Sequence, residues 1–227
     1  MRGSPWVPRV LLGAAAIGLV AAVISIALGK GGPERIRIEG AGQVQELMGG
    51  IEEDGPYLGS PEAPVTVTVF NDLQAPSGAS FESAVVDPLI TDFVRAGDVR
   101  LELRHFSFTE AETNLAAYGA VAAGQQDYEW QYADLFFRNQ RNAPHGRVTE
   151  EFMRDVANAV PNLDADSWAA ALESGQVKAQ VQADAQAALS LRLPAAPAVI
   201  VEGPGGTRKL VDGPSLDEVK AAIASVE

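Results

Sequence analysis

The chain has 227 residues, of which 47% are hydrophobic, and a formal net charge of −13. That length allows one or two domains and the apolar share is enough for a core, while the acidic balance argues against nucleic acid, whose binding needs Lys and Arg to neutralise phosphates. There is no cysteine, which by itself assigns no compartment, since reducing and oxidising surroundings both tolerate its absence.

Residues 1–9 are short and basic, with Arg2 and Arg9, and read as a cytoplasmic N-terminus. Val10 to Leu28 follows as 19 residues without a charge. At about 1.5 Å per residue that run spans about 28 Å, close to a hydrocarbon core, and it is expected to be a transmembrane anchor. Ser25 and Ala27 keep a cleaved signal as the alternative. Basic residues stand on both sides, Lys30, Arg35 and Arg37 beyond the run, so orientation rests on the habit of N-terminal anchors to leave the main domain outside. Residues 29–49 are glycine-rich and read as linker, with at most one helical turn at Gln43 to Met48. The domain proper is expected from Gly50 to the end.

Val65, Val67 and Val69 alternate with threonines, the period of a strand. Asn71 and Asp72 break the alternation, and Pro76 suits the first turn of a helix, where its missing N–H has no partner to lose. Phe81, Val85 and Leu89 then form one apolar stripe on a helix to about Ala96. Pro88 lies inside it and is expected to split it into two segments. Val99 to Phe106 alternates apolar and charged residues, a second strand with one polar face.

From about 110 to 191 the pattern is helical. Trp130, Phe136 and Phe137 cluster on one helix; Phe152, Val156 and Val160 lie on another that Thr149 can cap; Trp168 and Leu172 share a third, capped by Asp164 or Asp166. Val177, Val181, Ala185 and Leu189 step by four along a fourth. Apolar residues at helical spacing are what any packed helix needs, so these stripes are assigned to the core rather than to a cofactor. After Pro194-Ala195-Ala196-Pro197 comes a third strand, Ala198 to Val201, then a hairpin turn at Gly203 to Gly206, a last strand to Val211, and a helix that Ser215 caps.

A valine-rich strand, an acidic or amide residue and then "x-Q-C-P-x-C" opening a helix is the active-site signature of DsbA-like, thioredoxin-fold thiol-disulfide oxidoreductases. Asn71-Asp72-Leu73-Gln74-Ala75-Pro76-Ser77-Gly78 resembles it, with Ala75 and Gly78 at the two cysteine positions. A second fingerprint is Ala196-Pro197, where the family carries a cis-proline before its third core strand, and two coarser matches accompany the pair: "R-H-F-S-F" at 104–108 and "D-Y-E-W-Q-Y-A-D-L-F-F-R-N-Q" at 127–140. The resemblance covers about residues 50–227. It implies an α/β thioredoxin fold, β-α-β then β-β-α, with a helical domain inserted after the second core strand at about 110–191 and an extracytoplasmic location in the cell membrane.

The family's chemistry passes through a thiolate at the helix N-terminus, and Ala75 has no ionisable atom. The expectation is therefore no catalytic residue, no enzyme activity and no cofactor, with Ala75, Pro76, Ser77 and Gly78 as a degenerate active-site loop and Ala196 and Pro197 as a cis-proline loop. Binding of polypeptide remains, because the segment before the cis-proline can pair with an extended peptide as an added strand, and two small residues in place of cysteine are expected to leave the groove open. A structural or adaptor role, with a membrane-protein partner held through the helical insertion, is the alternative. Kappa-class glutathione transferases share the fold and use a serine at the first cysteine position, but that position is Ala75; Ser77 would also need a base, and the two histidines, His105 and His145, are not beside it in sequence. No metal site is expected, since the acidic residues show no calcium-ligand spacing.

Overall fold

Val65–Asn71 is the central strand, β3, buried along almost its whole length. A computed structural model gives the architecture and describes residues 36–106, 114–143 and 147–227. Residues 36–227 form one compact unit. The expected anchor at 10–28 lies outside the described residues, as does His145. No described helix is long and apolar enough to cross a membrane.

The six-stranded sheet has the order β1-β2-β4-β3-β5-β6. β4 (Val99–His105) runs parallel to β3. β5 (Ala198–Gly203) and β6 (Gly206–Leu210) follow antiparallel on its other side. A hairpin of two short strands, β1 (Glu53–Asp54) and β2 (Tyr57–Leu58), extends the sheet beyond β4. The order β3-α-β4, helical insertion, β5-β6-α is the expected one.

The linker expectation needs correction. Ala41–Met48 is a helix, α1, whose Val44 and Met48 are buried in the main core. Residues four apart on one face were too few to stand out among the glycines, but the sheet layer supplies the apolar surface that makes the helix worth forming.

The helix after β3, α2, starts at Pro76–Phe81 and runs on to Val94 without a break. Pro88 does not split it. Instead the turns on either side widen, at Glu82–Val86 and Ile90–Val94, into π turns around Asp87–Leu89. Proline has no N–H for the carbonyl four residues back; the Asp87 N–H reaches Glu82 O and the Arg95 N–H reaches Ile90 O, five residues back, so the chain stays hydrogen-bonded past the gap.

The insertion consists of α3 (Leu115–Gly124), α4 (Glu129–Asn139), α5 (Glu150–Ala159), α6 (Ala165–Leu172) and α7 (Gly175–Ser190). Its aromatic residues pack on one another: Tyr132 lies 5.9 Å from Trp168 and Phe136 meets Phe152 edge-on at 5.4 Å, ring centre to centre. The two indole N–H groups donate to Pro56 O and Gly119 O, at 2.7 and 2.8 Å, so burial leaves neither unpaired. One continuous core joins these helices to the sheet. The polar face of β4 is also covered: Glu102 is buried and takes hydrogen bonds from Thr68 and Arg104, and Arg104 pairs with the buried Asp184 of α7. The last helix, α8 (Leu216–Ala224), closes the other end of the fold behind a capping box of Ser215 and Glu218.

Candidate functional site

β3 and β5 are antiparallel, with Phe70 opposite Ala198. The C-terminal end of one and the N-terminal end of the other therefore meet, and the loops that leave them, 71–78 and 195–197, open at the same edge of the sheet. The first loop is tightly tied. Asn71 Oδ1 accepts from the Asp72 N–H and Asp72 Oδ1 from the Gln74 N–H. Gln140, just past α4, donates its amide to Leu73 O at 2.6 Å and Ala75 O at 3.2 Å, which pins the loop to the insertion. Its neighbour Asn139 holds the incoming chain through Glu39, accepting from its N–H and donating to its carbonyl. Neither role was expected, although both residues lie in the "N-Q" of the quoted motif.

Ala75 is half-buried, Pro76 and Ser77 are exposed, and Gly78 is buried. The expected room is not there at Gly78. A Cβ at that position would press on the carbonyl oxygen of Asp72, lie 2.7 Å from Asn71 Oδ1 and 3.0 Å from the Phe137 ring. The space has closed over the glycine, and what stays open in the loop is the Ala75–Ser77 side.

Ser77 has no base. His105, at the end of β4, is 3% exposed, and its Nε2 is 2.9 Å from Glu129 Oε1. Burial opposes a charge on the imidazole, but the hydrogen bond and charge of Glu129 outweigh it and raise the His105 pKa. This ion pair is buried at the base of the loop rather than directed at Ser77, so the glutathione-transferase-like alternative finds no support.

Pro197 is buried and the Ala196–Pro197 peptide is cis. Its carbonyl accepts from the Gly213 N–H at 2.9 Å. Among the described residues, the peptide groups of Ala195 and Ala196 have no hydrogen-bond partner. Two adjacent half-exposed peptide groups in that condition are what an added strand would pair with.

Under α2 the structure also gathers charge the sequence spread over 57 positions, from Glu82 to Arg138. Glu82, Asp87 and Asp134 come together, each offering an oxygen within 4.8 Å of the others. Arg138 bridges Asp87 and Asp134 with contacts of 2.9 Å. Burial first, then the charges of Asp134 and Asp87, raises the Glu82 carboxyl well above its ordinary range; burial lifts Asp134 to about 6 despite Arg138. A pocket of about 290 Å³ opens beside these groups and reaches Pro76.

Comparison with known proteins completes the picture. A family model described as Thioredoxin matches residues 52–224. The chain belongs to the thioredoxin family. This family member is 27% identical over 169 residues to the probable disulfide bond formation protein D of Bacillus anthracis, covering 73% of its own length and 75% of the relative's. Its fold matches the crystal structure of oxidised BdbD from Bacillus subtilis with a TM-score of 0.66 at 24% identity, over 76% of this chain and 94% of that one. It matches DsbA from Chlamydia trachomatis with a TM-score of 0.63 at 20% identity, over 74% and 89%. Its fold is thus like that of the DsbA-type structures. The expectation of no enzyme is corrected by these names: the curated relatives are disulfide bond formation proteins, an oxidoreductase class, and the missing cysteine alone does not take a chain out of it.

Proposed function

We propose that this DsbA-like protein holds extended polypeptide at the edge of its sheet where loop 75–78 and the segment before Pro197 meet, and that it does so outside the cytoplasm, tethered by residues 10–28. The observation that carries this is the pair of unpartnered peptide groups at Ala195 and Ala196. Main-chain pairing there needs no sulfur from this chain, and a disulfide exchanged at the groove would belong to the polypeptides held in it. The relatives are named disulfide bond formation proteins, which supports a part for such binding in disulfide formation. The large apolar side chains exposed among the described residues, Leu189 on α7 and Leu191 at its end, belong to the insertion and are the one feature that favours the adaptor alternative.

The test is photo-crosslinking in the native membrane. A photoreactive residue replaces Ala75, with controls on the outer face of α8 and on α5 and α6. Adducts specific to Ala75 support the groove, and mass spectrometry identifies the polypeptide. Adducts from the insertion probes with none at Ala75 would sink the groove and favour the adaptor reading.

A further inference from the structure

The cluster under α2 has a property that neither polypeptide binding nor the fold requires. In a regular α-helix, residues five apart stand about 140° apart around the axis, at about 100° per residue. Glu82 and Asp87 are five apart, yet both line one pocket and bring oxygens within 4.8 Å of each other and of Asp134. The π turn at Glu82–Val86 makes this possible, since its extra residue swings Asp87 back toward the face of Glu82. Single π turns of this kind occur often at functional sites.

The polar accounting is incomplete. Arg138 satisfies both oxygens of Asp134 and one of Asp87. Glu82 is 2% exposed, and its Oε1 has no hydrogen-bond partner; Oε2 has only Asn71 Nδ2 at 3.5 Å. Asp87 Oδ1 is buried and unpartnered as well. Three carboxylates against the one guanidinium that touches them leave two negative charges when all are ionised, with exposed Arg141 only on the pocket rim. Two buried, unpartnered oxygens beside a pocket of about 290 Å³ are positioned for a cation.

We propose that Glu82, Asp87 and Asp134 form a divalent-cation site of the calcium class. The donors are all carboxylate oxygens, which select a hard ion. Oxygens within 4.8 Å of one another fit the ~2.3–2.6 Å bond lengths and flexible geometry of Ca²⁺ better than the tight octahedron of Mg²⁺. The pocket leaves room for water to complete the shell. The bound ion would sit beside the π turn of α2 and couple its position to the insertion through Asp134.

Calcium titration of the full-length chain in detergent, by calorimetry at neutral pH in chelator-treated buffer, tests this. One ion per chain is expected to bind, with a dissociation constant at or below about 1 mM, the weak end of extracellular sites. Glu82→Gln, which preserves volume, is expected to weaken binding by about tenfold or more, and Asp134→Asn likewise, with far-UV circular dichroism showing both variants folded; for each acid this is the loss of one of the charged ligands that set affinity. No binding by the wild-type protein up to about 10 mM Ca²⁺, well beyond that range, would overturn the proposal. So would unchanged affinity in both variants, which would put the ion elsewhere.

Discussion

Gly78 falls at the second cysteine position of the signature that the loop resembles, and its surroundings admit no side chain without a shift. Asp72, Asn71 and Phe137 crowd the site of its missing Cβ. Gly78→Ala is expected to cost about 1–3 kcal/mol, the range for overpacking a close-packed interior, while Ala75→Ser on the half-buried side of the loop changes stability by about 0.5 kcal/mol or less; urea denaturation of both variants checks the contrast. Glu53 gives a second test at this scale. Its carboxylate accepts from the Trp130 N–H at the start of α4, but burial outweighs that bond and lifts its pKa to about 8 from 4.5. The folded protein then holds a proton there that the unfolded chain releases. This contribution to stability is complete below about pH 4.5 and is lost as pH rises to about 8, with a slope of at most about 1.4 kcal/mol per pH unit. Glu53→Gln is expected to make the fall in melting temperature across that window shallower; an identical pH profile would contradict it.

Among the elements, α8 and α2 show opposite ways of dealing with backbone groups. α8 satisfies its first turn locally: Ser215 Oγ accepts from the Glu218 N–H while Glu218 takes the Ser215 N–H at 2.8 Å. That box anchors the buried Val219 and Ile223 against the sheet. Ser215→Ala is expected to cost about 1 kcal/mol, and at most about 2, seen as a lower denaturation midpoint with an unchanged slope. α2 instead spreads the gap left by Pro88 into two wide turns. The consequence reaches beyond the helix, because the first of those turns carries Glu82 to the side of Asp87.

For the molecule as a whole, the decisive fact is that sheet and insertion share one core. Trp168 of α6 is 1% exposed, stacks with Tyr132 and bonds to Gly119 O on α3. It belongs to the same cluster as Val65, Val67 and Val69 of β3. Trp168→Ala is expected to cost about 3–5 kcal/mol, and to do so for the whole domain. Far-UV circular dichroism and the fluorescence of the remaining tryptophans should report one shared, lowered transition. Two separated transitions would mean that the insertion unfolds on its own. The same continuity lets Gln140, which ends the α4 segment of the insertion, hold the loop at the end of β3.

Much of this was legible in the residues. Valines at period two, Pro76 at a helix start, apolar steps of four and serine or aspartate caps depend on neighbours in sequence, and they mark the order of strands and helices and the place of loop 75–78. Absence of cysteine from the chain was equally plain, but it says nothing of family, which rests on a match along residues 52–224. What only the tertiary structure decided depends on groups distant in sequence. Ala41–Met48 becomes a helix because a core receives Val44 and Met48. Gly78 is closed in by Phe137 from the insertion. Glu82 and Asp134 meet because a π turn and an inserted helix face one another, and no spacing along the chain records that. Local order follows from propensity over a few residues; a site is made by long-range packing, which sets which buried charges must share one space.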